Sequence, residues 1–238
     1  MFATPAVAAE LTVLASSPMT EILDAVLPMF ERDSGHKVHV LFLAGNALPD
    51  RIKNGAQADL LVTLPQIIDD LVQAGTVVPG SRVDFVRSRV GVAVRAGAPK
   101  PDISTVEGFK NALLAAKSIG FSQGSSGVHL MDLIERLGIA DAVKAKAVVP
   151  KERGQRVGAL VASGQAEIGV QQITELLSVP GIDFVGPLPE ALQTTIVFAT
   201  ARPTTARQQG AASDLVTFLS SPPVAPIARK MGLEPAGR

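Results

Sequence analysis

The sequence predicts an α/β protein of two lobes, each a mostly parallel sheet flanked by helices. Three observations predict it. Short β-branched or apolar runs alternate with amphipathic stretches almost from end to end, the pattern of strands and crossover helices. The alternation falls into two series, each near the size of a small domain. Of the 238 residues, 47% are apolar and 18% charged, enough for a core and without the bias of disordered chains.

Residues 11–15 (LTVLA), 37–43 (KVHVLFL) and 59–63 (DLLVT) read as buried strands. Between the first two, residues 18–33 set Ile22, Val26, Met29 and Phe30 at helical spacing. Pro28 inside that stretch predicts a kink or a turn. A short helix over 46–54 ends at Gly55, and another over 65–74 ends at Gly75, as C-terminal caps. Over 82–95, Val90, Val92 and Val94 alternate as in a strand, and residues 97–101 (GAPKP) turn the chain.

The second series reads helix 104–116, strand 118–122, helix 126–137, strand 145–149, helix 155–163 and strand 167–171. Leu130, Leu133, Ile134 and Leu137 form one face of helix 126–137. A strand over 194–200 (TTIVFAT) and helices over 206–219 and 223–231 close the chain.

Composition removes several function classes. Lys+Arg and Asp+Glu balance at 22 each, with no basic stripe, so no nucleic-acid partner is expected. Trp and Tyr are absent and Phe numbers nine, which disfavours stacking platforms. Without Cys there is no disulfide, thiolate metal site or thiol nucleophile. No Walker A, Gly-x-Gly-x-x-Gly after the first strand, HExxH or EF-hand loop occurs, so neither a metal nor a cofactor is expected. No apolar run approaches the ~18 residues of a membrane span. At the N-terminus, Ala6-Val7-Ala8 before Ala9-Glu10 resembles a signal cleavage site, although a charged and then apolar leader is missing. Residues 1–9 are therefore expected to be the remnant of an export signal, or simply a flexible Ala-rich terminus.

In open α/β sheets, ligands bind beyond the carboxyl ends of strands, at helix N-termini. Those junctions carry Ser16, Ser17 and Pro18, then Ala44, Gly45 and Asn46. Later ones carry Ser125, Ser126 and Gly127, a connection through Glu152 and Arg153 to Arg156, and Gln171 with Gln172. Ser17 is expected to cap the first helix. Free amides and the helix dipole would together favour an anion, although Ser and Asn also begin helices that bind nothing.

Gly120 to Gly124 (GFSQG) fits the G-x-S-x-G pattern of serine hydrolases, but the helix starts about two residues too late for that elbow. Its base could come only from His36, His39 or His129. His36 and His39 flank an early strand and read as edge or surface residues. His129 lies opposite the Leu130/Ile134 stripe, with Asp132 and Arg136. It reads either as a solvated polar-face residue or as a neutral imidazole beside a bound anion, able to move a proton.

Four stretches resemble the periplasmic molybdate-binding proteins, within the type II solute-binding proteins of ABC transporters. They are residues 14–17 (LASS), 44–46 (AGN), 51–60 (RIKNGAQADL) and 164–169 (GQAEIG), spread over a likeness spanning roughly residues 10–235. The resemblance implies lobe 1 over 10–84 with 192–238, lobe 2 over 85–191, a hinge joining them, and closure on one small anion. Carried over by position, the ligand contacts fall at Ser16 or Ser17, Asn46, Ser125, Ser126, Gly127, Arg156, Val157 and Gln172. It further implies an exported, periplasmic monomer that delivers its ligand to an ABC-transporter membrane permease.

Two departures separate the chain from molybdate binders: Gln172 where a Tyr is often found, and Asn46 where a Ser is. Arg87, Arg89, Arg153 and Arg156 would suit carboxylates. The chain is also similar to organic-acid-handling members of this group, including aconitate isomerase. That alternative makes it an enzyme acting on a tricarboxylate by proton transfer, with His129 or Glu152 as base.

Overall fold

The computed structural model describes residues 8–43, 47–151 and 155–236. Along the chain these form β1 (Glu10–Ser16), α1 (Thr20–Ser34), β2 (Lys37–Leu43), α2 (Ala47–Lys53), β3 (Leu60–Thr63), α3 (Pro65–Gln73) and β4 (Val83–Arg95). Then follow α4 (Val106–Ala115), β5 (Ile119–Phe121), α5 (Ser125–Arg136), α6 (Ala140–Lys144), β6 (Ala147–Val148), α7 (Val157–Ala162) and β7 (Ile168–Gln172). The chain closes with α8 (Ile173–Leu177), β8 (Ile182–Pro187), β9 (Thr195–Ala201), α9 (Gln209–Leu219), α10 (Val224–Lys230) and β10 (Leu233–Pro235).

The fold is mixed α/β, and the chain divides into two compact units. Unit 1 comprises Met1–Arg87, Val197–Lys230 and Glu234–Arg238, and unit 2 comprises Ser88–Ile196 and Met231–Leu233. The chain passes from one unit to the other inside β4, inside β9, after α10 and inside β10.

In unit 1, β1 pairs in parallel with β2 (Glu10↔Lys37 to Ser16↔Leu43) and with β3 (Val13↔Leu60 to Ala15↔Val62). β9 runs antiparallel to β3. Crossover through α1 and α2 is what permits the parallel pairs. Leu14, Leu43, Leu61, Ile68, Leu71 and Ala199 belong to its core. α1 buries Ile22, Leu23, Val26, Leu27 and Phe30 and ends at Gly35, in the left-handed region at φ 76°.

Three local expectations need correction here. The turn expected as one alternative at Pro28 does not form, since α1 continues through it to Ser34. Both Pro28 and Asp24, four residues earlier, are exposed, so the carbonyl freed by the missing N–H faces water. Ser17 does not cap α1 through its side chain. It opens a short 3-10 turn, Ser17–Met19, and its carbonyl accepts the Thr20 hydroxyl at 2.8 Å. His39 is exposed as expected, but His36 is buried: its Nδ1 accepts the Ala9 amide at 3.1 Å and its ring faces Phe30.

The buried Asp59 carboxylate ties unit 1 together. One oxygen accepts the Thr12 amide at 2.9 Å. The other accepts the amides of Arg207 and Gln208 at 2.9 and 3.0 Å, just before α9. At the edge of the sheet, the Val38 amide donates to Glu31 at 2.8 Å, with Lys37 nearby. That amide, more than Lys37, holds the Glu31 carboxyl below its usual range, against a smaller opposing effect of burial. A depressed carboxyl stabilises the fold above its unfolded pKa and loses that contribution as pH falls through its folded pKa. Thermal melts should therefore show wild type above Glu31→Gln at neutral pH, with the difference closing in acid.

In unit 2, β4 runs antiparallel to β7 (Val90↔Gln172 to Val94↔Ile168) on one side and to β8 on the other. β5 is parallel to both β7 and β6. Glycines set the depth of packing at two places. A Cβ on Gly169 would lie 2.6 Å from Val161, and one on Gly91 would lie 2.7 Å from the Phe184 ring. α7 therefore sits directly on β7, with Val157 fully buried. Ahead of α4, the Thr105 hydroxyl accepts the Gly108 amide at 3.0 Å, an N-cap that starts the helix at Val106.

Candidate anion-binding site

β5 delivers the chain to α5, a 12-residue helix with no acidic residue in its first turn and Arg136 in its last. Val128 N is bonded to Gly124 O at 3.0 Å. Helix geometry leaves the amides of Ser125, Ser126 and Gly127 without intrahelical acceptors. The turn is tightly seated. A Cβ on Gly127 would come within 1.6 Å of the Ser122 carbonyl oxygen, so only glycine allows the helix to begin this close to β5.

Side chains around this turn are buried and short of partners. Ser126 is 1% exposed, and its hydroxyl has no hydrogen-bond partner in the structure. Gln172, at the end of β7, donates from Nε2 to the Ser125 hydroxyl at 3.3 Å, while its Oε1 has no partner. A buried polar group without a partner costs free energy unless a ligand or water supplies one. Ser125, Ser126, Gly127 and Gln172 are thus assembled at the head of α5, as a neutral set of donors and acceptors at the positive end of a helix dipole.

Ser88, Gln171 and Thr174 each carry a buried oxygen without a partner as well, and sequence reasoning missed Ser88 and Thr174 as candidates. Ser88 had a readable signal, since it occupies an apolar-face position in the alternation of Val86, Val90, Val92 and Val94. Thr174 had none.

The remaining candidates are carried by other elements. In unit 1, the Ser16 hydroxyl is bonded to that of Thr63 at 2.8 Å, across neighbouring positions of β1 and β3. Ser17 is half-buried in the 3-10 turn. In unit 2, Arg156 occupies the N-cap position of α7 and its guanidinium donates to the Ser178 hydroxyl. Val157 is spent on packing, which leaves only its backbone for a ligand. Asn46, Glu152 and Arg153 lie outside the described residues.

His129 is half-buried, one helical turn after Ser125. Its Nε2 lies 2.8 Å from the Leu192 carbonyl oxygen, so it is not a freely solvated polar-face residue.

A groove of about 480 Å³ on unit 2, lined by Arg89, Lys100, Asp102, Ser104, Leu188 and Glu190 among others, contains Arg89 but none of the predicted ligand contacts. Its charges are already occupied. Arg89 pairs with Glu190, Lys100 donates to Phe184 O at 3.1 Å, and Asp102 accepts the Ser104 amide. That amide holds the Asp102 carboxyl below its usual range. Among the described residues there is no cluster of His, Asp or Glu able to hold a metal ion.

Comparison with known proteins bears on this site. A family model described as bacterial extracellular solute-binding protein matches residues 11–234. The chain is 36% identical to an aconitate isomerase of a Pseudomonas species, over 98% of this chain and 92% of that one. It is 26% identical to the molybdate-binding protein of Azotobacter vinelandii, with the same coverage of 98% and 92%. The solved structure of the periplasmic molybdate-binding protein of that organism matches with a TM-score of 0.77 at 20% identity, covering 94% of this chain and 98% of the other.

Proposed function

This chain belongs to the family of bacterial extracellular solute-binding proteins, and from that premise we propose that it captures a small di- or tricarboxylate anion. The observation that carries the proposal is the head of α5, where a fully buried, unpartnered Ser126 hydroxyl stands with free helix amides beside the Gln172 amide. Neutral donors at a helix N-terminus suit an anion. The choice of a carboxylate over a tetrahedral oxyanion rests on the relatives. The Pseudomonas relative at 36% identity is named for a tricarboxylate, while the molybdate-binding relatives are more distant.

In this reading Ser16, Ser17, Asn46, Arg156 and the backbone of Val157 are further ligand contacts. The protein works in the periplasm and hands its ligand to an ABC-transporter permease. A second reading, in which it also interconverts isomers of the bound acid, is favoured by the same relative. It is tested by following cis- and trans-aconitate by NMR.

A thermal-shift panel of molybdate, tungstate, sulfate, phosphate, citrate, cis-aconitate and trans-aconitate tests the proposal. A ligand at 100 times its Kd adds about 2.7 kcal/mol of stability, a rise of roughly 5–11 °C for a chain this long. We expect that rise with the polycarboxylates. A rise confined to molybdate and tungstate would replace the proposal with oxyanion binding.

A further inference from the structure

We propose that His129 is a positioning residue, which locks the first turn of α5 in place for ligand binding through its Nε2–H. The inference rests on the anion-binding reading of α5, and the geometry behind it forms a closed circuit. Ser125 is held by Gln172. Gln172 is the register partner of Val90 in the β7–β4 pair. Val90 is gripped by the Gln193 side chain, which accepts the Val90 amide at 2.9 Å and donates to the Val90 carbonyl at 2.9 Å. The preceding residue, Leu192, offers its carbonyl to His129 Nε2 at 2.8 Å. One helical turn from His129 back to Ser125 closes the circuit.

The chemistry fixes the roles. A carbonyl oxygen only accepts, so His129 Nε2 must carry the proton. The bond fixes the neutral ring as the Nε2–H tautomer, with Nδ1 the nitrogen that keeps a lone pair, and it holds the ring to the Leu192 carbonyl. α5 is consequently fastened at two points a turn apart, by Ser125 to β7 and by His129 to the segment running into β9. Between those points lie Ser126, Gly127 and the free amides of the site. Holding donors in place before the ligand arrives raises affinity by reducing the cost of ordering them on binding.

Two amide side chains separate positioning from proton transfer. The glutamine amide nitrogen can occupy the place of histidine Nε2 and donate to Leu192, whereas the asparagine amide nitrogen reaches only the place of Nδ1. Neither can act as a base. With trans-aconitate as the calorimetric probe, His129→Gln should bind within about threefold of wild type. His129→Asn and His129→Ala should each lose about tenfold, the net contribution of one hydrogen bond.

If His129→Gln binds as poorly as His129→Ala, or if all three variants bind as wild type, the proposal is wrong. Aconitate interconversion present in wild type and abolished in His129→Gln, with affinity kept, would make the residue a base and overturn it as well. Two readouts need no ligand. Imidazole ¹⁵N NMR should show His129 as the Nε2–H tautomer. Amide exchange from Val128 onward in α5 should quicken in the Asn and Ala variants but not in Gln. Should wild type bind none of the anions in the panel, the functional reading fails, and these two measurements still decide the positioning role. A mixed tautomer or unchanged exchange in all variants would reject it.

Discussion

Gly127→Ala is expected to lower the melting temperature by roughly 4–12 °C, an overpacking cost of about 2–3 kcal/mol in a chain of this length. The added methyl would sit 1.6 Å from the Ser122 carbonyl oxygen, a backbone atom that cannot rotate away. Relief would require α5 to move off the end of β5, carrying Ser125 and Ser126 with it, so ligand affinity should fall along with stability. Gly210 in α9 is the control of opposite sign. Nothing lies within 4 Å of the corresponding Cβ there, and Gly210→Ala should stabilise by about 0.4–1 kcal/mol by restricting the unfolded chain. Differential scanning calorimetry on the two variants measures both. A Gly127→Ala protein that melts with wild type would mean that α5 is not seated as described.

Asp59→Ala should be the most damaging single change in unit 1, costing roughly 3–5 kcal/mol. It leaves the amides of Thr12, Arg207 and Gln208 facing a void, in a place where the carboxylate is only 4% exposed. Asp59→Asn keeps the shape but turns one end of the group into a donor that meets an N–H. It should fall between Ala and wild type, at about 1–3 kcal/mol. Urea unfolding of the pair checks the order. Equal stability of wild type and Asp59→Ala would show that these amides find other partners.

The parts of the fold legible in the sequence are those with a local physical cause. The faces of α1 (Ile22, Val26, Phe30) and α5 (Leu130, Leu133, Ile134) follow from helical spacing and are buried as that spacing requires. Gly55 and Gly75 stand after helices with φ of 79° and 72°, a conformation glycine adopts without strain. Three short elements were not legible. α6, α8 and β8 are too short to be stable alone, and they exist because the surrounding unit packs on them.

The site follows the same division. That helices begin with small polar residues at Ser16, Ser125 and Ser126 can be read from the chain. The bond between Gln172 and Ser125 spans 47 residues and leaves no local trace, nor does that between Asp59 and Arg207, which spans 148. The position of His129 was legible on the helix, but its role was not, because its partner is a backbone carbonyl 63 residues away. His36 was misread for a related reason: the turn at Gly35 directs it inward against Phe30, which no strand pattern reveals.

The central claim is that the head of α5 binds a polycarboxylate through neutral donors. Titration calorimetry of trans-aconitate and of molybdate into wild type and Ser126→Ala tests it most directly. The account predicts saturable binding of trans-aconitate to wild type and an affinity loss of about 0.5–3 kcal/mol in Ser126→Ala, with the ligand-free melting temperature unchanged or raised. Equal affinity of the two proteins for trans-aconitate, or heat from molybdate alone, would contradict it.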